Sequence, residues 1–137
     1  MAGKSTFLRT VSIALISANN GLPVYADSFK YSPVKLITSM RSLDSLTKDE
    51  SYFFSELKRL RYIIDSLKQD QYFVILDEIL KGTNSKDKEI GSRKFVRKLV
   101  EIGSTGIIAT HDLTLCSLSE TMKNVHNKFF DAEIIHD

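Results

Sequence analysis

The first residues with recognisable chemistry are Gly3, Lys4, Ser5 and Thr6, which stand directly before an apolar helical pattern. Their order matches the second half of the phosphate-binding pattern G-x-x-x-x-G-K-[ST]. A glycine lets backbone N–H groups approach phosphate oxygens closely, and a lysine neutralises the β and γ phosphates of a nucleotide. Ser5 would offer its hydroxyl to Mg²⁺, and the following helix would direct free N–H groups at the anion. Four residues also fit a chance sequence at a helix start, which is the alternative.

A second candidate is the carboxylate pair Asp77-Glu78, which ends the apolar run 72–76. A strand that is apolar at every position is typical of the interior of a parallel sheet. Neighbouring strand residues point to opposite sides, so one carboxylate can reach a metal while the other reaches a nucleophile. We expect Asp77 to hold Mg²⁺ through water, and Glu78 to orient or deprotonate the attacking water. The alternative is a strand that simply ends in polar residues.

Two further residues, His111 and Ser51, stand at the ends of predicted elements. His111 follows the apolar segment 105–110, where a neutral imidazole can hydrogen-bond a γ-phosphate or the attacking water. A histidine at a strand end is more often structural. Ser51 opens a helical pattern, where a serine normally caps the helix. The same helix start could also meet a phosphate from another subunit.

The framework that must position these residues follows from hydrophobic periodicity. Helical spacing of apolar residues predicts helices over 4–18, 51–67, 88–102 and 113–121. Apolar or β-branched runs predict strands over 34–40, 72–76 and 105–110, with weaker strand patterns over 24–32 and 125–135. Polar segments predict loops over 42–50 and 82–87. Helices that alternate with buried strands predict an α/β layered fold with a mainly parallel sheet, in which 72–76 and 106–110 are adjacent inner strands.

Composition narrows the class of protein. A chain of 137 residues is one domain or part of one, and 42% apolar with 26% charged residues argues against disorder. Nineteen basic and 17 acidic residues give a net charge of +2, too balanced to indicate a DNA-coating surface. Cys116 is the single cysteine, which excludes an internal disulfide and favours a reducing, cytoplasmic setting. We expect no membrane association, because no apolar run approaches the roughly 18 residues of a membrane span.

Taken together, the motifs resemble those of MutS-type ATPases. The segment GKSTFLRTVSIALISANNGLPVYA resembles the family's phosphate-loop helix, and DEILKGTNSKD resembles its D-E-I-x-x-G-T-S-T-x-D block. SYFFSEL resembles the S-T-F-x-x-E-[LM] signature, and IIATHDLTL resembles the A-T-H switch. The motifs come in the family's order, and the resemblance covers nearly the whole chain.

This resemblance implies that residues 1–137 are a partial ABC-type P-loop ATPase domain of a MutS-like DNA mismatch repair protein. The implied ligands are ATP and Mg²⁺, and the implied partners are a second copy of the domain and DNA bound by upstream domains. The implied roles are phosphate binding by Gly3, Lys4, Ser5 and Thr6, metal binding by Ser5 and Asp77, catalysis by Glu78 and His111, a γ-phosphate contact across the dimer by Ser51, and a place in the loop that crosses the dimer interface for Asp87.

Three departures from the family pattern favour a divergent MutS-like branch. Lys81 replaces an arginine, Asn84-Ser85 replaces Ser-Thr, and Lys48-Asp49-Glu50 replaces a more basic run. A paralogue acting in recombination or another DNA transaction is therefore an alternative to a mismatch repair protein. A P-loop kinase is disfavoured, because D-E followed by G-T and a later A-T-H is typical of ATP hydrolysis.

The family pattern G-P-N-M-x-G-K-S-T places three further loop residues before Met1. We therefore expect the chain to open inside the phosphate loop, and the strand that feeds the loop to be absent. We expect that strand to lie in the middle of the sheet, directly beside segment 72–76. Its absence predicts weak ATP binding and self-association of the isolated chain, and a non-catalytic fragment is the matching alternative.

Overall fold

The computed structural model of the chain describes residues 3–40, 49–80 and 85–130. In chain order the elements are α1 (Lys4–Asn19), β1 (Lys35–Ser39), α2 (Asp49–Leu67), β2 (Tyr72–Asp77), α3 (Ser85–Glu101), β3 (Thr105–Ala109), α4 (Leu113–Cys116) and α5 (Leu118–Thr121). The three long helices and the three main strands predicted from the sequence are confirmed, with small differences at their ends. The α/β class is confirmed as well, because helices alternate with parallel strands along the chain.

The strand predicted over 24–32 is wrong. This segment contains bends and no strand, and most of its residues are exposed. Its aromatic side chains make contacts instead: Phe29 stacks on Tyr31 at 5.6 Å, and the Tyr31 hydroxyl donates to the Ala18 backbone carbonyl of α1 at 2.6 Å. Aromatic residues here therefore anchor a connection to α1 instead of forming an edge of the sheet.

The other differences concern the predicted ends and loops. The helix predicted over 113–121 is divided at Ser117 into α4 and α5. The strand predicted over 125–135 is absent from its described part, 125–130, and its remaining residues lie outside the described chain. Of the predicted loops, 42–48 and 82–84 lie outside the described residues, while 49–50 belong to α2 and 85–87 to α3.

The described sheet is parallel, with β2 between β1 and β3. In its register Val74 lies opposite both Ile37 and Gly106. The predicted pairing of 72–76 with 106–110 is confirmed, but β3 stands at an edge of the described sheet rather than inside it. Because β1 and β3 pair with the two sides of β2, a strand feeding the predicted phosphate loop cannot lie directly beside β2. The expectation that placed it there is wrong.

The two faces of the sheet are covered by different helices. On one face, Leu8 of α1 packs against Ile75 and Ala109. On the other face, Val74 and Leu76 pack into a larger cluster supplied by α2, α3, α4 and α5. Since strand side chains alternate between faces, Asp77 continues the row of Ile75 on the α1 side. Among the described helices, none is long and apolar enough to cross a membrane.

Gly106 allows β3 to approach β2 closely, and we expect Gly106→Ala to destabilise the fold. A Cβ at this position would overlap the Val74 carbonyl oxygen, a backbone atom that cannot rotate away. We expect a loss of about 1–3 kcal/mol in the free energy of unfolding, measured by urea denaturation. Thr105→Ala, at an exposed position of the same strand, is the control. Equal unfolding midpoints for the two variants would contradict the expectation.

Candidate functional site

The predicted site residues converge at the carboxyl edge of the sheet. Asp77 ends β2 opposite Ala109, which ends β3, and α1 begins just after Gly3. This edge is where parallel α/β sheets bind ligands. Gly3 has a left-handed backbone with φ 56° and precedes a helix with no acidic residue in its first turn. The N–H groups of this first turn have no carbonyl partner within the helix, so the site is suited to an anion.

Three predicted residues from separate parts of the chain are in direct contact. The Lys4 Nζ lies 3.2 Å from Nδ1 of His111. The other ring nitrogen, Nε2, lies 3.0 Å from Oε1 of Glu78. His111 therefore connects the candidate phosphate-binding lysine to the candidate catalytic carboxylate.

The partners of the imidazole decide which of its nitrogens carries the proton. A lysine ammonium has three N–H donors and no acceptor, so Nδ1 of His111 must accept. The neutral ring then carries its proton on Nε2 and donates it to Glu78. The Glu78 side chain is 12% exposed and that of His111 is 58% exposed. The carboxylate is thus largely withdrawn from water, while the imidazole that contacts it is well exposed.

The backbone around Glu78 is held in an uncommon conformation. Glu78 has φ 51° and Leu80 has φ 57°, both in the left-handed region that residues other than glycine rarely adopt. Such residues persist only where their surroundings hold them, and they concentrate at functional sites. On one side, the Glu78 N–H donates to the Ala109 carbonyl at 2.9 Å.

Glu56, which the sequence motifs do not single out as a site residue, supplies a second contact to this turn. Its Oε1 accepts a hydrogen bond from the Leu80 N–H at 2.7 Å. Glu56 belongs to α2, so a carboxylate 24 residues upstream fixes the backbone just after Glu78. The SYFFSEL motif includes this glutamate, but the motif does not indicate that its partner is the Leu80 N–H.

Asp112 shapes the turn that carries His111. Its Oδ1 accepts from the Thr114 N–H at 2.9 Å and caps α4. Its own N–H donates to Oγ1 of Thr110 at 2.9 Å. An aspartate directly before a helix is a recognisable N-cap signal in a sequence.

The predicted positions of two residues, Ser51 and Asp87, are corrected by the structure. α2 begins at Asp49, so Ser51 lies inside its first turn rather than at its start, and its side chain is outside the described structure. Asp87 lies in the first turn of α3 rather than in a loop. A carboxylate in that position interacts favourably with the helix dipole.

Comparison with known proteins shows which family this chain resembles. The family model described as MutS domain V matches residues 1–137, the whole chain. The chain belongs to the MutS family. It is 30% identical over 135 residues to MutS protein homolog 4 of Mus musculus, which covers 97% of this chain and 14% of that protein.

Two further relatives are named as DNA mismatch repair proteins. The chain is 32% identical over 137 residues to DNA mismatch repair protein MutS of Chlorobium chlorochromatii, covering 98% of this chain and 15% of that protein. It is 33% identical over 113 residues to DNA mismatch repair protein MSH6 of Arabidopsis thaliana, covering 81% of this chain and 8% of that protein. The chain thus spans a small part of the length of these MutS-family relatives. No solved structure shows a significant match.

Proposed function

We propose that this MutS-family domain binds ATP with Mg²⁺ and hydrolyses it. The observation that carries the proposal is the contact chain from Lys4 through His111 to Glu78, at the N-terminus of α1. It brings together a lysine that could bind phosphate, a carboxylate that could activate water and an imidazole that contacts both. Few structural roles require all three at the ligand-binding edge of a parallel sheet.

In this proposal the chain's own residues divide the work of hydrolysis. Lys4 and the first-turn N–H groups of α1 hold the β and γ phosphates. Glu78 orients the attacking water and accepts its proton, and the turn around Glu78 fixes the direction of the carboxylate. His111 already donates to Glu78, so it can report a change at the γ-phosphate to the turn made by Thr110 and Asp112.

The residues near the phosphates also suit Mg²⁺. The metal prefers oxygen ligands and keeps several waters, so it needs one or two protein groups beside the phosphates. Ser5 offers a hydroxyl at the start of α1, and Asp77 faces the same side of the sheet. When bound, Mg²⁺ would neutralise charge on the phosphate oxygens. The described residues contain no group of three or more His, Cys, Asp or Glu side chains that could hold a metal ion by themselves.

The wider role that we propose is that of the ATPase domain in a homodimeric MutS-like protein. Nucleotide state would be coupled to DNA bound by other domains. Ser51 would contact the γ-phosphate of the partner, and Asp87 would lie near the dimer interface. The family match supports this role, as do the names of the relatives. Mismatch repair and a recombination-related role are both compatible with those names. We also propose a cytoplasmic location.

Magnesium dependence tests the proposal. In the full-length protein, we expect ATP turnover to stop when EDTA removes Mg²⁺. We expect Asp77→Asn to raise the Mg²⁺ concentration for half-maximal turnover by about tenfold or more, because an outer ligand loses its charge. Asp70→Asn, just before the opposite end of β2, is the matched control. Phosphate release that does not depend on Mg²⁺ would exclude the proposed magnesium site. Formation of ADP only with an acceptor substrate, with the phosphoryl group on the acceptor and no release of inorganic phosphate, would favour the kinase alternative.

A further inference from the structure

We propose that Glu56 is a positioning residue for ATP hydrolysis, which holds Glu78 in its working orientation by binding the Leu80 amide. The inference rests on the proposed function of Glu78. Glu56 lies in the SYFFSEL segment, whose proposed nucleotide contact is Ser51. Its carboxylate instead reaches into the turn that follows β2.

The first step of the argument is that the Glu78 turn needs external support. Its left-handed residues, Glu78 and Leu80, are a glutamate and a leucine, which gain nothing from that conformation by themselves. The turn is tied at the Glu78 N–H by the Ala109 carbonyl and at the Leu80 N–H by Glu56. These two ties lie on either side of the catalytic side chain's own α-carbon.

The second step concerns burial. Ile79 is 4% exposed and Leu80 is 3% exposed, so the Leu80 amide has little access to water. A Cβ at Gly91 of α3 would lie 2.7 Å from Cδ1 of Leu80, which shows how closely the leucine is seated there. Without the Glu56 oxygen, this buried N–H would lose its partner, and the backbone would turn to find another.

The third step connects that movement to the chemistry. Leu80 is two residues from Glu78, so a rotation of the Leu80 amide changes the direction of the Glu78 side chain. A displacement of about 1 Å at a catalytic group lowers turnover by about 100-fold. Lys4 and the first turn of α1 are not part of this link, so ATP binding should be preserved.

The experiment compares three substitutions at Glu56 in the full-length protein. Glu56→Ala removes the acceptor, and we expect kcat to fall about 10- to 100-fold while the ATP Kd stays within about threefold. Glu56→Gln keeps a carbonyl oxygen at the same reach and should retain most of the turnover. Glu56→Asp keeps the charge but is too short, so its kcat should fall. Glu120→Ala, an exposed glutamate of α5, is the control.

Amide hydrogen exchange at Leu80 gives a readout that does not depend on turnover. We expect slow exchange in the wild type and in Glu56→Gln, and faster exchange in Glu56→Asp and Glu56→Ala. If Glu56→Ala does not fold, the comparison of the Gln and Asp variants decides. Turnover in Glu56→Asp equal to or above that of Glu56→Gln would overturn the proposal, and so would rapid exchange of the Leu80 amide in the wild type.

Glu78→Gln separates this inference from the proposed function. If Glu78→Gln abolishes turnover and Glu56→Ala does not lower it, only the positioning role is overturned. If Glu78→Gln retains turnover, or the wild type does not hydrolyse ATP, the catalytic role of Glu78 is overturned and the positioning role with it.

Discussion

Glu78→Gln is expected to abolish ATP hydrolysis in the full-length protein while ATP remains bound. The amide keeps the size of the side chain and an oxygen that can accept from His111 Nε2, so the contact at 3.0 Å can persist. What disappears is the negative charge that accepts a proton from water. General bases contribute about 10²- to 10⁴-fold to rate, and we expect a loss in that range.

Single-turnover kinetics and nucleotide titration measure the two effects of Glu78→Gln separately. The ATP Kd should change by no more than about threefold, because the proposed phosphate contacts, Lys4 and the α1 N-terminus, are unchanged. Glu101→Gln removes a carboxylate from an exposed position of α3 and should leave turnover unchanged. A Glu78→Gln protein that hydrolyses ATP at nearly the wild-type rate would show that another group activates the water.

The sequence indicated which residues would lie at this edge of the sheet, because each is part of a short contiguous motif. Lys4 begins α1, Asp77 ends β2 and His111 follows β3, so the parallel strands and α1 bring them to the same edge. Motif and element are local properties, and local periodicity reports them. The contact of His111 with Lys4 and Glu78 follows once those elements are packed.

What the sequence could not predict depends on contacts between distant residues. The hydrogen bond from the Leu80 N–H to Glu56 joins a backbone group to a side chain on another element, and the types of the two residues do not predict it. The left-handed turn is equally hidden, since neither Glu78 nor Leu80 is a residue that favours it. The order of strands around β2 differs from the prediction for the same reason. An apolar run shows that a strand is buried but does not identify its neighbours.

Lys4→Ala is expected to act on a different step, the binding of ATP itself. The Lys4 ammonium lies 3.2 Å from His111, whose other nitrogen contacts Glu78. Lys4 therefore places a positive charge near the Glu78 carboxylate, at the proposed phosphate site. Its removal loses a charged hydrogen bond to phosphate and leaves the Glu78 carboxylate to repel the nucleotide.

Titration with ATP and ADP in the full-length protein measures the effect of Lys4→Ala. We expect the ATP Kd to rise about 10- to 100-fold, since a hydrogen bond to a charged group contributes about 1.5–3 kcal/mol. The loss should be smaller for ADP, which lacks the γ-phosphate. Arg9→Ala removes a positive charge from an exposed position further along α1 and should change neither affinity. Lys4 also contacts His111. The single variant His111→Ala and the double variant Lys4→Ala/His111→Ala therefore test whether Lys4 acts on ATP directly or through the imidazole. If His111→Ala alone reproduced the whole loss of affinity, Lys4 would act by orienting the imidazole rather than by binding phosphate.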